Sequence, residues 1–122
     1  MFVINEDLTI ECTRGDAATF SIGANVADVP YIFREGDVVR FSVSAKKGCA
    51  EVVLRKDFTA TAGSETVDIE LTSEDTRIGG VINKPVDYWY EVELNPETHP
   101  QTIIGYDQDG AKVFRLYPES EV

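Results

Sequence analysis

Pro85-Val-Asp-Tyr-Trp-Tyr-Glu-Val-Glu-Leu94 is the stretch whose reading decides the fold. Val86, Tyr88, Tyr90, Val92 and Leu94 share one parity, and Asp87, Trp89, Glu91 and Glu93 share the other. Successive side chains of a strand point to opposite faces, so these ten residues predict a strand with one apolar and one acidic face. Tyrosine and valine also fit a pleated surface better than a helix. So much apolar bulk on one face needs a second sheet to cover it.

Working outward, the same alternation recurs. Val39, Phe41, Val43 and Ala45 share a face opposite Val38, Arg40, Ser42 and Ser44. Lys46-Lys-Gly48 is a tight-turn signal, and the run from Glu51 to Lys56 returns as the antiparallel neighbour. Val67, Ile69 and Leu71 point inward while Thr66, Asp68 and Glu70 point out. Leu8 to Cys12 reads as a first strand, with Phe2 to Ile4 as a possible extension. After the Thr13 to Asp16 turn, Ala18, Phe20 and Ile22 make a second. Gly23 to Pro30 is loop-like, and Tyr31 to Phe33 is expected to plug one end of the core. Ser73-Glu-Asp-Thr76 supports one helical turn over residues 73–77 and no more, since Gly79-Gly80 follows. Gln101 to Tyr106 and Ala111 to Tyr117 are expected to pair as a final hairpin across Asp107-Gln-Asp-Gly110. A length of 122 residues fits one domain over residues 1–122, and turn signals every 8 to 15 residues without a long helical pattern indicate its fold. It is an all-β, immunoglobulin-like antiparallel β-sandwich of seven or eight strands.

With 43% hydrophobic residues among 122, the chain can bury a core and is not disordered. Twenty-two acidic residues against eleven basic ones give a net charge of −11. That charge argues against nucleic acid and anionic membrane surfaces as partners. Cys12 and Cys49 are too few for a disulfide framework. They pair only if their strands are neighbours, and reduced thiols are the default reading. The N-terminal residues lack the basic and apolar regions of a signal peptide, which predicts cytoplasmic synthesis.

The chemistry-bearing residues are sparse. His99 precedes Pro100 in a loop and has no spaced metal-ligating partners. Asp68, Glu70, Glu91 and Glu93 could suit a glycosidase, but they stand on the outward parity of strands, as expected of a solvated face. Asp107-x-Asp-Gly110 resembles the start of a calcium loop without its later ligands. Arg14-Gly15-Asp16 matches the integrin-binding tripeptide, although a turn there needs Gly and Asp anyway. No cofactor and no small-molecule ligand is expected. Trp89 is the informative residue, because an indole on the acidic parity points to an interface, a covering loop or a strand buried on both sides. Trp89, Tyr88 and Tyr90 are the candidate interface anchors.

Three motifs carry a resemblance: Arg14-Gly-Asp-x-Ala-x-Phe20, Gly36-Asp-Val-Val-Arg-Phe41, and Leu71-Thr-Ser-Glu-Asp-Thr76 before a tyrosine-rich strand. Together they resemble small β-sandwich domains of phage and prophage tail and baseplate modules, most closely the N-terminal domain of the baseplate upper protein family. The resemblance implies a non-enzymatic virion structural protein contacting other tail or baseplate proteins or itself. The chain departs from that family in ending directly after the sandwich, without a receptor-binding or trimerising segment, and in a longer 95–110 region. A carbohydrate-binding module using the same aromatics is the alternative, and a hydrolase with paired acids ranks third.

Overall fold

The alternating segments become eleven strands in the computed structural model, which describes residues 1–26, 28–47, 50–108 and 110–119. They are β1 (Phe2–Ile4), β2 (Ile10–Thr13), β3 (Ala18–Ile22), β4 (Asn25–Val26), β5 (Val29–Pro30), β6 (Val38–Lys46), β7 (Ala50–Thr59), β8 (Val67–Leu71), β9 (Val86–Leu94), β10 (Gln101–Ile104) and β11 (Lys112–Tyr117). A seven-stranded sheet runs β1-β2-β11-β9-β6-β7, with β10 also beside β9; β3 and β8 form a two-stranded sheet that packs over it. The fold is the all-β sandwich that the alternation requires. The strand number exceeds expectation because β4 and β5 form a tiny hairpin inside the loop-like stretch and Phe2–Ile4 is a strand of its own, not an extension of the next.

Two pairings depart from the local reading. β11 lies parallel to β2, from Phe114 opposite Ile10 to Tyr117 opposite Thr13, so the large sheet is mixed rather than wholly antiparallel. The expected hairpin between the last two segments does not form either. Both pair antiparallel with β9, Ile104 opposite Val92 and Lys112 opposite Tyr90. Only Glu91 lies between those partners, so residues 105–111 are an excursion from one returning strand. The turn itself closes, with the Gly110 N–H donating to the Asp107 carbonyl at 2.9 Å and Gly110 at φ +97. Gly110 takes the positive φ expected of it, while Asp109 lies outside the described residues; the free side of β9 offered a longer ladder than a self-paired hairpin.

Inside, the parity of β9 is honoured: Tyr90, Val92 and Leu94 are buried against Val39, Phe41 and Val43 of β6 and Phe114 and Leu116 of β11. Phe41 sits at the centre of a ring cluster, with centroids 5.9 Å from Phe20, 5.7 Å from Tyr90 and 6.4 Å from Phe114. Phe20 belongs to the small sheet, so these contacts hold the layers together; burying one such ring contributes about 2–3 kcal/mol. Phe33 is fully buried and plugs the end, as expected, while Ile32 beside it is half exposed. Cys12 is buried, and burial pushes its thiol up to about 11. Cys49, and with it the question of a bridge, lies outside the described residues, as does Gly48 of the expected tight turn.

Polar joints fasten the lid. The 72–76 turn is one turn long: Thr76 N–H donates to the Thr72 carbonyl, while Thr72 and Asp75 cap each other reciprocally through side chain and backbone. Thr76, with no exposed surface, accepts from the Gly15 N–H at 2.9 Å and donates to the Asp16 carbonyl at 2.9 Å. Ser73 donates to the Gly15 carbonyl and Arg14 to the Gly79 carbonyl. At the other end Asp37 accepts from the Tyr31 hydroxyl, the Arg34 N–H and Asn95 Nδ2. Burial alone would raise its carboxyl, yet the bonds from Asn95, Arg34 and Tyr31 hold it below the usual range.

Thr76→Val should leave the Gly15 N–H and Asp16 carbonyl without their partner and cost about 2–3 kcal/mol, read as a lower urea midpoint at unchanged slope. Asp37→Asn should cost a similar amount, about 2 kcal/mol, at neutral pH. Because folding lowers the Asp37 pKa, its contribution is complete above the unfolded value near 4 and disappears as pH falls through the folded one. Unfolding curves between pH 7 and pH 3 should therefore converge for the wild type and Asp37→Asn.

Candidate functional site: the outer face around Trp89

Trp89 stands on the outer face of the large sheet because its parity opposes that of Tyr90 and Val92. In register it lies between Val113 of β11 and Ser44 of β6, and Ser44 lies opposite Val52 of β7. The row Val113–Trp89–Ser44–Val52 thus crosses four adjacent strands. Val52 is half exposed, Trp89 and Val113 are partly covered by their neighbours, and Ser44 is buried beneath them. The Lys47 ammonium lies 5.9 Å from the Trp89 ring centroid, within reach of a cation–π attraction.

Charged rows flank this centre. Towards one end, Arg115 binds Asp87 at 2.8 Å, and Glu11 accepts from the Tyr117 hydroxyl and from Asn5. The Tyr117 bond, then the Asn5 bond, hold the Glu11 carboxyl below the usual range. Towards the other end, Arg40 grips Asp57 through two nitrogens at 2.8 and 3.1 Å and reaches Glu97 at 2.8 Å. Exposed ion pairs of this kind add only about 0–1 kcal/mol to stability. Their larger effect is to neutralise charge within the face, which leaves its middle apolar. Glu91 follows Trp89 on the same face of β9, and Glu93 stands opposite Arg40 in the charged row. Burial, and then the Glu91 carboxylate next to it, raises Glu93, with Arg40 and Arg55 pulling the other way.

The three sequence candidates separate. Trp89 is on the open face. Tyr90 is 4% exposed and donates its hydroxyl to the Leu8 carbonyl, so it is a core residue and not an anchor. Tyr88 shares the inner parity, packs half-buried against the core and sets its hydroxyl close to Gly79. Both follow the parity of Val92 and Leu94; aromatic character alone drew attention to them. Val113, Ser44, Val52 and Lys47 join the site through strand register, which local sequence does not encode.

Other readings find a structural place. Arg14-Gly15-Asp16 is not displayed as a ligand: Arg14 is 9% exposed, Gly15 is bonded at both backbone groups, and Asp16 pairs with the Met1 amine. Asp68 and Glu70 lie on the outside of the small sheet and Glu91 and Glu93 on the outside of the large one, so the two pairs cannot flank one bond. Asp107 binds the Lys112 ammonium at 2.8 Å, and Asp109 lies outside the described residues. His99 is exposed in the β9–β10 loop. Among the described residues no three of His, Cys, Asp and Glu are grouped as a metal-ligand set.

Because folding raises the Glu93 pKa, the ionised carboxylate opposes the fold at neutral pH, and that penalty fades as pH falls through the raised value. Glu93→Gln should therefore raise unfolding free energy by up to about 1 kcal/mol at pH 7, with the gain shrinking towards pH 4. Paired urea titrations at the two pH values check this.

No protein-family model, no curated protein and no solved structure matches the chain.

Proposed function

We propose that this chain is a non-enzymatic interaction domain of a phage or prophage virion, a tail or baseplate component that docks a partner protein on the outer face of its seven-stranded sheet. The observation that carries the docking role is the row Val113–Trp89–Ser44–Val52, an apolar centre with ion pairs at both ends. Protein interfaces have this plan: charge is depleted from the middle, tryptophan is enriched there, and a polar rim surrounds it. Strands rather than loops hold these side chains, so the face meets its partner preorganised. The virion setting rests on the resemblance carried by Arg14 to Phe20 and Leu71 to Thr76. Those two stretches meet at the Thr76 joint, so their residues serve one task, fastening the lid.

A second reading, a carbohydrate-binding face, draws on the same indole lying beside Glu91, Glu93 and Arg55 on an open sheet.

Trp89→Ala should preserve the far-ultraviolet dichroism and the unfolding midpoint to within about 1 kcal/mol, since the side chain lies outside the core. It should weaken capture of tail or baseplate proteins encoded beside this chain by about 10- to 100-fold in quantitative co-purification. Unchanged capture overturns the proposed face. Saturable binding on a glycan array, lost in Trp89→Ala, transfers the face to the carbohydrate reading.

A further inference from the structure

The free edge of β3 differs from the other strand edges of the two main sheets. β1 has three residues, and β10 is short and irregular between Thr102 and Ile104. β7 carries Arg55, Lys56 and Asp57 and a register shift opposite Val43 and Ser44, devices that discourage pairing with another chain. β8 carries Asp68 and Glu70, and on its side towards β7 Lys56 donates to the Glu70 carbonyl at 2.9 Å. β3, reading Ala-Thr-Phe-Ser-Ile, has no charge, no proline and no bulge.

A slot of about 170 Å³ runs along this edge, with Phe20, Ser21, Ile22 and Gly23 as one wall and Ile4, Ile10 and Tyr90 in the other. Neighbouring residues of a strand face opposite ways, so the three consecutive β3 residues Phe20, Ser21 and Ile22 can line one slot only if the strand presents its backbone edge to it. The volume is below the roughly 300 Å³ at which drug-sized ligands are held, and suits apolar side chains instead. Leu8, at the mouth, sits at φ +71, a conformation unfavourable for leucine, with its carbonyl held by the Tyr90 hydroxyl. The surroundings are acidic. Asp68 accepts from Ser21 at 2.7 Å, Glu6 and Asp7 precede Leu8, and the nearby Lys112 ammonium is engaged by Asp107.

We infer that the open edge of β3 is a strand-addition site for an extended segment of another protein in which apolar residues alternate with lysine or arginine. Main-chain hydrogen bonds extend the two-stranded sheet, apolar side chains enter the slot above Ile10 and Tyr90, and the basic ones meet Asp68 and the Glu6-Asp7 turn. The net charge of −11 repels an acidic segment and a second copy of this chain. This site is separate from the Trp89 face and does not rest on it.

The test uses the full chain with two synthetic peptides of about six residues, one alternating valine with lysine and one alternating valine with glutamate. Amide hydrogen exchange at residues 19–22 should slow at least tenfold on saturation with the lysine peptide and not respond to the glutamate peptide. Ile4→Lys, at a position 41% exposed, should keep the unfolding midpoint and weaken the lysine peptide at least tenfold. Trp89→Ala should leave the β3 protection intact, so the two readings fail independently. Four outcomes overturn the inference: no slowing at β3, protection only at β1 or β7, equal response to both peptides, or β3 protection that arises from self-association without peptide.

Discussion

Two strands have to roof a sheet of seven, and the interior is arranged around that mismatch. β3 and β8 present only Ala18, Phe20, Ile22, Val67, Ile69 and Leu71 to the layer below. Large side chains make up the difference. Phe41 rises from β6 to meet Phe20, and Phe2 stacks on Phe20 from β1 with centroids 5.1 Å apart. Loops complete the roof, with Phe33 closing one end and Ile78 reaching in from the stretch after the 72–76 turn. Where neither strand nor loop reaches, along β3, a slot remains.

A lid so narrow needs fastening, and apolar contact alone is non-directional. Direction comes from polar groups, buried at Thr76 and Asp37 and half-buried at Lys56, that tie separate turns and strands together. Thr76 ties the Gly15 turn to the 72–76 turn, Asp37 ties Tyr31 and Arg34 to Asn95, and Lys56 crosses from β7 to Asp75 at 2.6 Å and to the Glu70 carbonyl. A satisfied buried hydrogen bond adds only about 1 kcal/mol net, but an orphaned one costs more, so these joints select one arrangement of the layers over slipped ones. The same economy explains Lys112, an amine on the inward parity that reaches Asp107 at 2.8 Å.

The outer face inherits its order from the inner one. With Tyr90, Val92 and Leu94 committed to the core, Trp89, Glu91 and Glu93 have no choice of side, and the register of β6, β7 and β11 decides their company. In-plane pairing of Arg115 with Asp87 and of Arg40 with Asp57 uses up cations in a chain with twice as many acids. An indole between two valines and a serine is what remains uncharged at the centre. A rigid face of this kind meets partners by complementarity rather than by rearrangement.

Much of the fold was legible in short stretches. The period of two in Val38 to Ala45, in Val67 to Leu71 and in Pro85 to Leu94 assigned strands and told inner from outer residues. The chain alone therefore put Trp89 outside, and parity also argued against Tyr88 and Tyr90 as surface anchors. What it could not determine is partnership, because backbone hydrogen bonds carry no residue identity. The Asp107–Gly110 turn signals a reversal in any context, yet Ile104 and Lys112 both found the flank of β9. Likewise nothing within Arg14-Gly15-Asp16 announces a tie to Thr76, sixty residues away. Alternation is a property of one strand and is written in sequence; register, parallel pairing and the meeting of distant turns are properties of the packed chain, decided by which arrangement buries Phe41 and gives Thr76 and Asp37 their partners.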